Sequence, residues 1–299
     1  MNLAFFLEVL IGGMLSGVMY TLVALGFVLI YKSSGVFNFA QGAMVLFSAL
    51  TFVRLLEMHL AFWLALAITL VVMIVLAMAI ERLVLRPLVN QPLIILFMAT
   101  IGLNFFLEGL AQGIWDNQVH GLDIGLNDEP FEGLRRLTGI LISTFDVLSA
   151  LIAGTLVGGL SLVFYKTRIG RALRAVSDDH QAALSVGIPL HHIWGITWAA
   201  AGIVALVSGL LWGSRLGVQF SLSLITLKAI PVLILGGFNS IPGAIIGGLI
   251  IGASEKLAEV YLSRYIGGGL ENFFPYLLAM IFLIFRPYGL FGDEIIERV

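Results

Sequence analysis

Ionisable side chains are scarce in this chain, so each one placed where chemistry is possible can be weighed singly. Lys228 lies in an apolar run, and a charge within a membrane is a functional candidate by default. It is also only a turn or two from Ser221 and Ser223, and the expectation is that it snorkels to the outer interface. Glu108, near the outer end of another run, reads the same way. His191 and His192 are adjacent. Without HExxH spacing or a nearby Cys they do not read as a metal site. Asp178 and Asp179 are adjacent too, so on a helix they face different directions, and paired-carboxylate acid–base work is not expected. No GxxxxGK[ST] occurs, so this chain does not cradle nucleotide phosphates in that way. There is no cysteine, which excludes disulfides, thiolate catalysis and Fe–S clusters. With neither a clear nucleophile–base set nor metal ligands, the chain does not read as an enzyme.

The polar residues gather instead in one stretch, Lys166 to Ile188, reading KTRIGRALRAVSDDHQAALSVGI. On helical spacing Arg171, Arg174, Asp178, Gln181 and Ser185 form a polar stripe. Ala172, Ala175, Val176, Ala183 and Val186 form a small apolar one. Such a helix lies at a membrane face. It is either an ordinary solvated loop or a docking helix whose small residues let another surface approach closely.

The elements around that stretch are set by composition. Of 299 residues, 60% are hydrophobic and 11% charged, and the mean hydropathy is +1.05. A soluble domain carries roughly 25% charged residues. A chain this apolar sits in lipid as helices, because open sheets leave backbone groups unsatisfied there. The apolar runs are long and continuous, unlike barrel strands. A net charge of −2 gives no nucleic-acid footprint. The fold class is therefore all-α and polytopic, in one membrane domain over 1–299.

Phe5 to Tyr31 is the first span. It lacks a basic n-region, and Lys32 follows it, which fits a retained span with its N-terminus outside. Tyr31 to Met44, YKSSGVFNFAQGAM, interrupts the pattern. The short segment after it, from about Ala43 to Leu56, suggests broken backbone lining a cavity. Leu60 to Ile80, Leu93 to Gly113 and Phe145 to Tyr165 span, with a polar loop from Trp115 to Ser143. His191 to Trp212 spans next. Ile225 to Phe238 is short, Asn239 to Gly243 turns, and Ala244 to Val260 continues. Leu270 to Phe285 closes the series before Arg286. This gives about eight or nine crossings, N-terminus out and C-terminus in.

On this topology Lys32, Arg82, Arg86, Lys166, Arg168, Arg171, Arg174, Arg286 and Arg298 lie inside. Arg54, Arg135, Arg136, Arg215, Lys228, Lys256 and Arg264 lie outside or near the outer face. The global bias is weak. The crowd of basic residues at the organising stretch, close to span ends, is the better guide.

FNFAQG and GGFNSIPG join apolar segments through Asn and Gly at corresponding places in the two halves. Transporters built from inverted repeats place such breaks near the substrate path. Chance is the rival explanation, since the chain has 34 glycines. The pairs Gly13–Gly17, Gly109–Gly113, Gly154–Gly158, Gly209–Gly213 and Gly248–Gly252 read as close helix packing.

Three stretches together resemble the permease subunits of bacterial branched-chain amino acid ABC importers, and most closely the shorter of that system's two permeases. They are LGFVLIYKSSGVFNFAQG (Leu25 to Gly42), IGRALRAVSDDHQAALSVGI (Ile169 to Ile188) and LKAIPVLILGGFNSIPGAIIGGLIIG (Leu227 to Gly252), with FRPYGLFG (Phe285 to Gly292) following. They occur in the family's order, and the resemblance turns the Lys166–Ile188 stretch, about residues 166–190 on the cytoplasmic side, into a coupling region. Gly170, Arg171, Ala172, Arg174, Ala175 and Asp178 match the coupling motif. Asn38, Gln41, Gly42, Asn239 and Gly243 match the two interrupted stretches and mark a substrate path.

The resemblance implies an all-helical permease with internal pseudo-repeats in the bacterial inner membrane. It implies a second homologous permease, two ATPase subunits that carry ATP and Mg, and a periplasmic binding protein that delivers substrate. This chain itself would bind no cofactor. Many relatives read NFAHGE where this chain has Asn38-Phe39-Ala40-Gln41-Gly42-Ala43, so two ionisable groups are replaced. That leaves urea, short amides and other small polar metabolites open beside branched-chain amino acids. An ion-coupled secondary transporter would have the same hydropathy, but it usually places an acid or His mid-span, and none reads as central here.

Overall fold

The computed structural model describes residues 3–88, 91–116, 118–126, 128–133, 135, 139–178 and 180–292. Asp179, Arg136 and Arg298 lie outside the described residues, as does the side chain of Gln181. In chain order the helices are α1 (Leu3–Ser34), α2 (Gln41–Glu57), α3 (Phe62–Ile80), α4 (Leu93–Ile114), α5 (Thr144–Lys166), α6 (Arg168–Asp178), α7 (His180–Ser185), α8 (Leu190–Leu216), α9 (Ile225–Gly236), α10 (Ile241–Ile266) and α11 (Leu270–Phe285). The all-α reading holds. Among the described residues six helices are long and apolar enough to cross a membrane: α1, α3 with its extension to Leu88, α4, α5, α8 and α10. Phe220–Gly236 and α11 are shorter apolar helices, and α2 is the remaining candidate crossing.

The chain divides into two compact units. One holds the described parts of 3–24, 125–157 and 227–292. The other holds Leu25–Ile124 and Gly158–Thr226. In the first, α1 and α10 cross through their glycines. A Cβ on Gly13 would lie 2.6 Å from the Gly252 carbonyl oxygen, and one on Gly17 2.3 Å from that of Gly248. Only hydrogen at these positions lets the two backbones touch, which is how helices without a hydrophobic drive between them gain contact. In the same unit Pro231 interrupts α9. Its missing N–H frees the Leu227 carbonyl, and the Tyr276 hydroxyl donates to that oxygen at 2.8 Å.

The second unit packs α8 against α2 and α3. Gly209 gives the approach to α2: a Cβ there would stand 2.5 Å from Ser48 Oγ. The Ser48 hydroxyl itself donates to the Ala205 carbonyl at 3.0 Å. Trp198 is fully buried in this core. Beyond Ile80, α3 continues as a π turn, Glu81–Leu85, and a 3-10 turn, Arg86–Leu88.

The small-residue reading holds for Gly13–Gly17, Gly248–Gly252 and Gly209–Gly213. It fails for Gly109–Gly113, where a Cβ would meet nothing within 4 Å. On Gly154 it would only reach Val18 at 3.9 Å, and on Gly158 nothing. Spacing alone does not say which face of a helix has a neighbour.

Candidate functional site

The first break is built by Asn38. Its side-chain oxygen accepts from the Ala40 N–H at 3.1 Å, an Asx turn that starts α2. Thr100, from α4, donates to the Phe37 carbonyl at 3.1 Å and accepts from the Phe39 N–H at 3.3 Å. Backbone that leaves a helix inside the membrane must find such partners. Asn38 and Gln41 are fully buried, and Asn38 Nδ2 donates to Gln41 Oε1 at 3.3 Å. Gln41 Nε2 is buried without a hydrogen-bond partner. Gly26 makes room for that amide, since a Cβ there would lie 2.3 Å from it. Gly42 lets the Ser223 carbonyl approach to where a Cβ would be 2.3 Å away. Asn38, Gln41 and Gly42 are thus core residues, while their neighbours Gly35, Val36 and Phe37 line a cavity of ≈ 320 Å³ with Leu93 and Phe97.

The second break lies in the other unit. Gly237 has φ +103, a conformation that only glycine adopts easily. Ser240 caps α10 by accepting the Gly243 N–H at 3.0 Å. Pro242 and Gly243 therefore belong to the first turn of α10, not to the turn before it. A Cβ on Gly243 would lie 2.0 Å from the Gly236 oxygen. The PYGLFG segment folds back here, with the Leu290 and Phe291 N–H groups donating to the Leu235 and Gly236 carbonyls at 2.8 and 3.1 Å. Asn239 is half-buried.

The Lys166–Ile188 stretch forms α6 and α7. Gly170 and Arg174 fix the corner with α5. A Cβ on Gly170 would lie 1.9 Å from the Phe164 oxygen. Arg174 Nη1 donates to that oxygen at 2.6 Å, and its guanidinium lies over the Phe164 and Tyr165 rings at 6.0 and 5.8 Å. Leu173 and Val176 are buried, Ala172 and Ala175 half-buried, and Arg171 and Asp178 exposed. Ala183 is buried as the apolar stripe required, but Val186 is 81% exposed.

Lys228 does not behave as the snorkelling expectation has it. Its Nζ lies 2.9 Å from Glu255 Oε1, inside the helices of its unit. The Tyr20 hydroxyl donates to the same oxygen at 3.1 Å. Glu255 is 2% exposed, mid-way along α10, and its Oε2 has no hydrogen-bond partner. Sequence reasoning missed this carboxylate, although the rule for ionisable residues inside spans points straight to it.

At another edge His120 bridges two acids, with Nδ1 2.7 Å from Glu57 Oε1 and Nε2 2.9 Å from Asp116 Oδ1. Arg54 closes the ring at 2.7 Å from Glu57 and 2.5 Å from Asp116. The Gln118 N–H and the His120 ring hold the Asp116 carboxyl below its usual range. The backbone of His120 also pairs with Val218 in both directions.

A last cluster lines a cavity of ≈ 640 Å³ at the end of α3 and the start of α8. Glu81, Arg82, Arg86, His191 and His192 line it together with Met78 and Ile196.

Comparison with known proteins covers this whole arrangement. Residues 9–285 match the family described as "Branched-chain amino acid transport system / permease component". The chain is 28% identical to the high-affinity branched-chain amino acid transport system permease protein BraD of Pseudomonas aeruginosa, over 98% of each chain. It is 31% identical to the probable branched-chain amino acid transport permease protein LivH of Methanocaldococcus jannaschii, over 96% of this chain and 92% of that one. Among solved structures, PsaBC from Streptococcus pneumoniae in complex with Fab aligns with a TM-score of 0.49 and 12% identity, over 91% of this chain and 89% of that chain, too distant to carry an argument. With the match running through both breaks, the surface helices and the buried ion pair, the chain belongs to the family of branched-chain amino acid transport permease components.

Proposed function

We propose that this chain is a membrane-spanning permease subunit of an ATP-driven importer for branched-chain or related small amino acids. It pairs with a second homologous permease. Two ATPase subunits dock on its cytoplasmic face, and a periplasmic binding protein delivers substrate. The N-terminus is periplasmic and the C-terminus cytoplasmic. The observation that carries the reading is α6. It exposes Arg171 and Asp178 while Leu173, Val176 and Arg174 anchor it to its own unit, and the chain has no nucleotide-binding motif of its own.

The mechanism follows from that anchoring. Closure of the ATPase pair pushes on α6. The Arg174 bond to the Phe164 carbonyl and the tight Gly170 corner pass the push to α5. The helices then rock about a central path that opens to alternate sides. Asn38, Gln41, Gly42, Asn239 and Gly243 lie at or beside the two breaks. They are assigned to the substrate path.

Gentle extraction of the tagged chain from native membranes, identification of what accompanies it and an ATPase assay test this. A second permease with ATPases supports it. A chain that purifies alone and still transports in vesicles overturns it. A second reading has one observation in its favour: the buried, half-satisfied Glu255 is the mid-span acid that ion-coupled secondary transporters use. Uptake stopped by vanadate supports the ATP-driven reading, and uptake stopped only by an uncoupler supports the other.

A further inference from the structure

The cavity between the end of α3 and the start of α8 has no part in the mechanism above, and its lining is divided by chemistry. Its wall includes Met78 and Ile196, both exposed apolar side chains. Its rim carries Arg82 and Arg86, at the point where the uncharged run of α3 gives way to charged residues. Neither guanidinium closes an ion pair among the described residues. Glu81 lines the same cavity. It is 6% exposed, and its Oε1 has no hydrogen-bond partner. An unpartnered carboxylate oxygen out of water costs several kcal/mol, and the π turn that carries Glu81 is a helix irregularity frequent at functional sites.

We infer that this cavity is a phospholipid site: it holds the head group of a phosphatidylethanolamine, with the phosphate between Arg82 and Arg86, the ammonium on Glu81, and an acyl chain along Met78 and Ile196. Each part of the cavity meets its complement. Two guanidinium groups suit a phosphate diester with forked hydrogen bonds. A buried acid short of a donor needs N–H groups, which ethanolamine has and choline lacks. The apolar lining and the first charged residues after α3 share one cavity, as a lipid lying between head-group and acyl regions requires. Basic pockets between spans are known to select phospholipid head groups.

The test uses the purified full chain together with whatever subunits accompany it. It is placed in nanodiscs of equal parts phosphatidylethanolamine, phosphatidylglycerol and phosphatidylcholine with matched acyl chains. It is then re-extracted in mild detergent, and the retained lipid is quantified by mass spectrometry. Phosphatidylethanolamine is expected over phosphatidylcholine by roughly tenfold, the worth of one charge-assisted hydrogen bond. Glu81→Gln brings that ratio back to the bulk value while total retained phospholipid persists. The double variant Arg82→Gln/Arg86→Gln loses the retained phospholipid. Phosphatidylcholine retained equally, phosphatidylglycerol retained above both, or no lipid retained because a partner permease fills the cavity each overturns the inference. Enrichment unchanged in both variants overturns it as well, because the lipid then binds elsewhere. The wild-type competition among the three lipids stands even if a variant fails to fold.

Discussion

Glu255 and Lys228 form the charge pair whose removal has the sharpest consequence. A single substitution, Glu255→Leu, leaves the Lys228 ammonium among helices with no counter-ion and costs about 3 kcal/mol, the low end for a broken buried pair because the Lys228 side chain keeps 21% exposure. Replacing both residues, Glu255→Leu with Lys228→Met, is expected to recover most of that loss, since an apolar pair of similar volume needs no desolvation. Thermal unfolding of the two variants in detergent checks this. A double variant as unstable as the single one would show that Tyr20 or the Glu255 backbone setting, not the ion pair, carries the stability. Asp116 gives a pH dependence. Its folded carboxyl titrates below the unfolded value, held there by the Gln118 N–H and the His120 ring. The stability it adds is present above the unfolded value near pH 4 and is lost as pH falls through the lower folded one. Amide exchange of the loop around residues 118–122 is therefore expected to be slow at pH 5 and to quicken, relative to intrinsic rates, toward pH 3. Asp116→Asn should weaken that acid-side transition, leaving the share of Glu57, which pairs with Arg54 and His120 in the same ring.

Helices were largely legible in the sequence, and the reasons are local. A run such as Leu93–Ile114 is strongly apolar, with Glu108 its one charge, and it is followed at once by Trp115 and Asp116, so its approximate length is written in its own composition. The break at Asn38 was legible too, because Asn and Gly are the residues that leave a helix by turning. What escaped were relations between elements. Glu255 meets Lys228 across 27 positions and Tyr20 across 235. His120 meets Glu57 across 63. Arg174 reads as one member of a polar stripe, yet its guanidinium is held by the Phe164 carbonyl and by two rings. No periodicity within one helix encodes such partners. The same distinction separates the glycines. Gly17→Ala puts a methyl where the Gly248 carbonyl oxygen would stand 2.3 Å away and is expected to cost roughly 1–3 kcal/mol by overpacking. Gly113→Ala, with nothing within 4 Å, is expected to be neutral or slightly stabilising through helix propensity. Arg171→Glu on α6 belongs at this scale as well. It reverses the charge of an exposed position without touching the α5 corner, so membrane assembly persists while substrate-stimulated ATPase and uptake fall. Normal coupling in that variant would remove α6 as the docking surface.

The proposed topology makes a demand on the folded chain: span ends assigned to one face must be able to meet. Within the second unit they do. The end of α2 with Arg54 and Glu57, the loop after α4 with Asp116 and His120, and Val218 after α8 come together at one place. All are assigned to the outer face. The opposite ends meet separately: Ser33 in the last turn of α1 takes hydrogen bonds from Trp194 and Thr197 near the start of α8, and Arg82 and Arg86 after α3 share a cavity with His191 and His192. Alternating crossings by α1, α2, α3, α4 and α8 account for both groupings, and a re-entrant α2 would not, because it would return Glu57 to the side of Ser33. Which grouping faces the cytoplasm rests on the basic crowd at Lys166, Arg168, Arg171 and Arg174. The natural absence of cysteine makes the test clean. A single cysteine at exposed Arg171 is expected to react with a membrane-impermeant maleimide only after the cells are opened. One at exposed Asp123, in the loop after α4, is expected to react in intact cells. The reverse pattern would invert the whole molecule, put α6 beyond the reach of any cytoplasmic ATPase and take the coupling mechanism with it. Labelling of both positions from the same side would instead change the number of crossings between α4 and α6, leaving α5 as a helix that does not span.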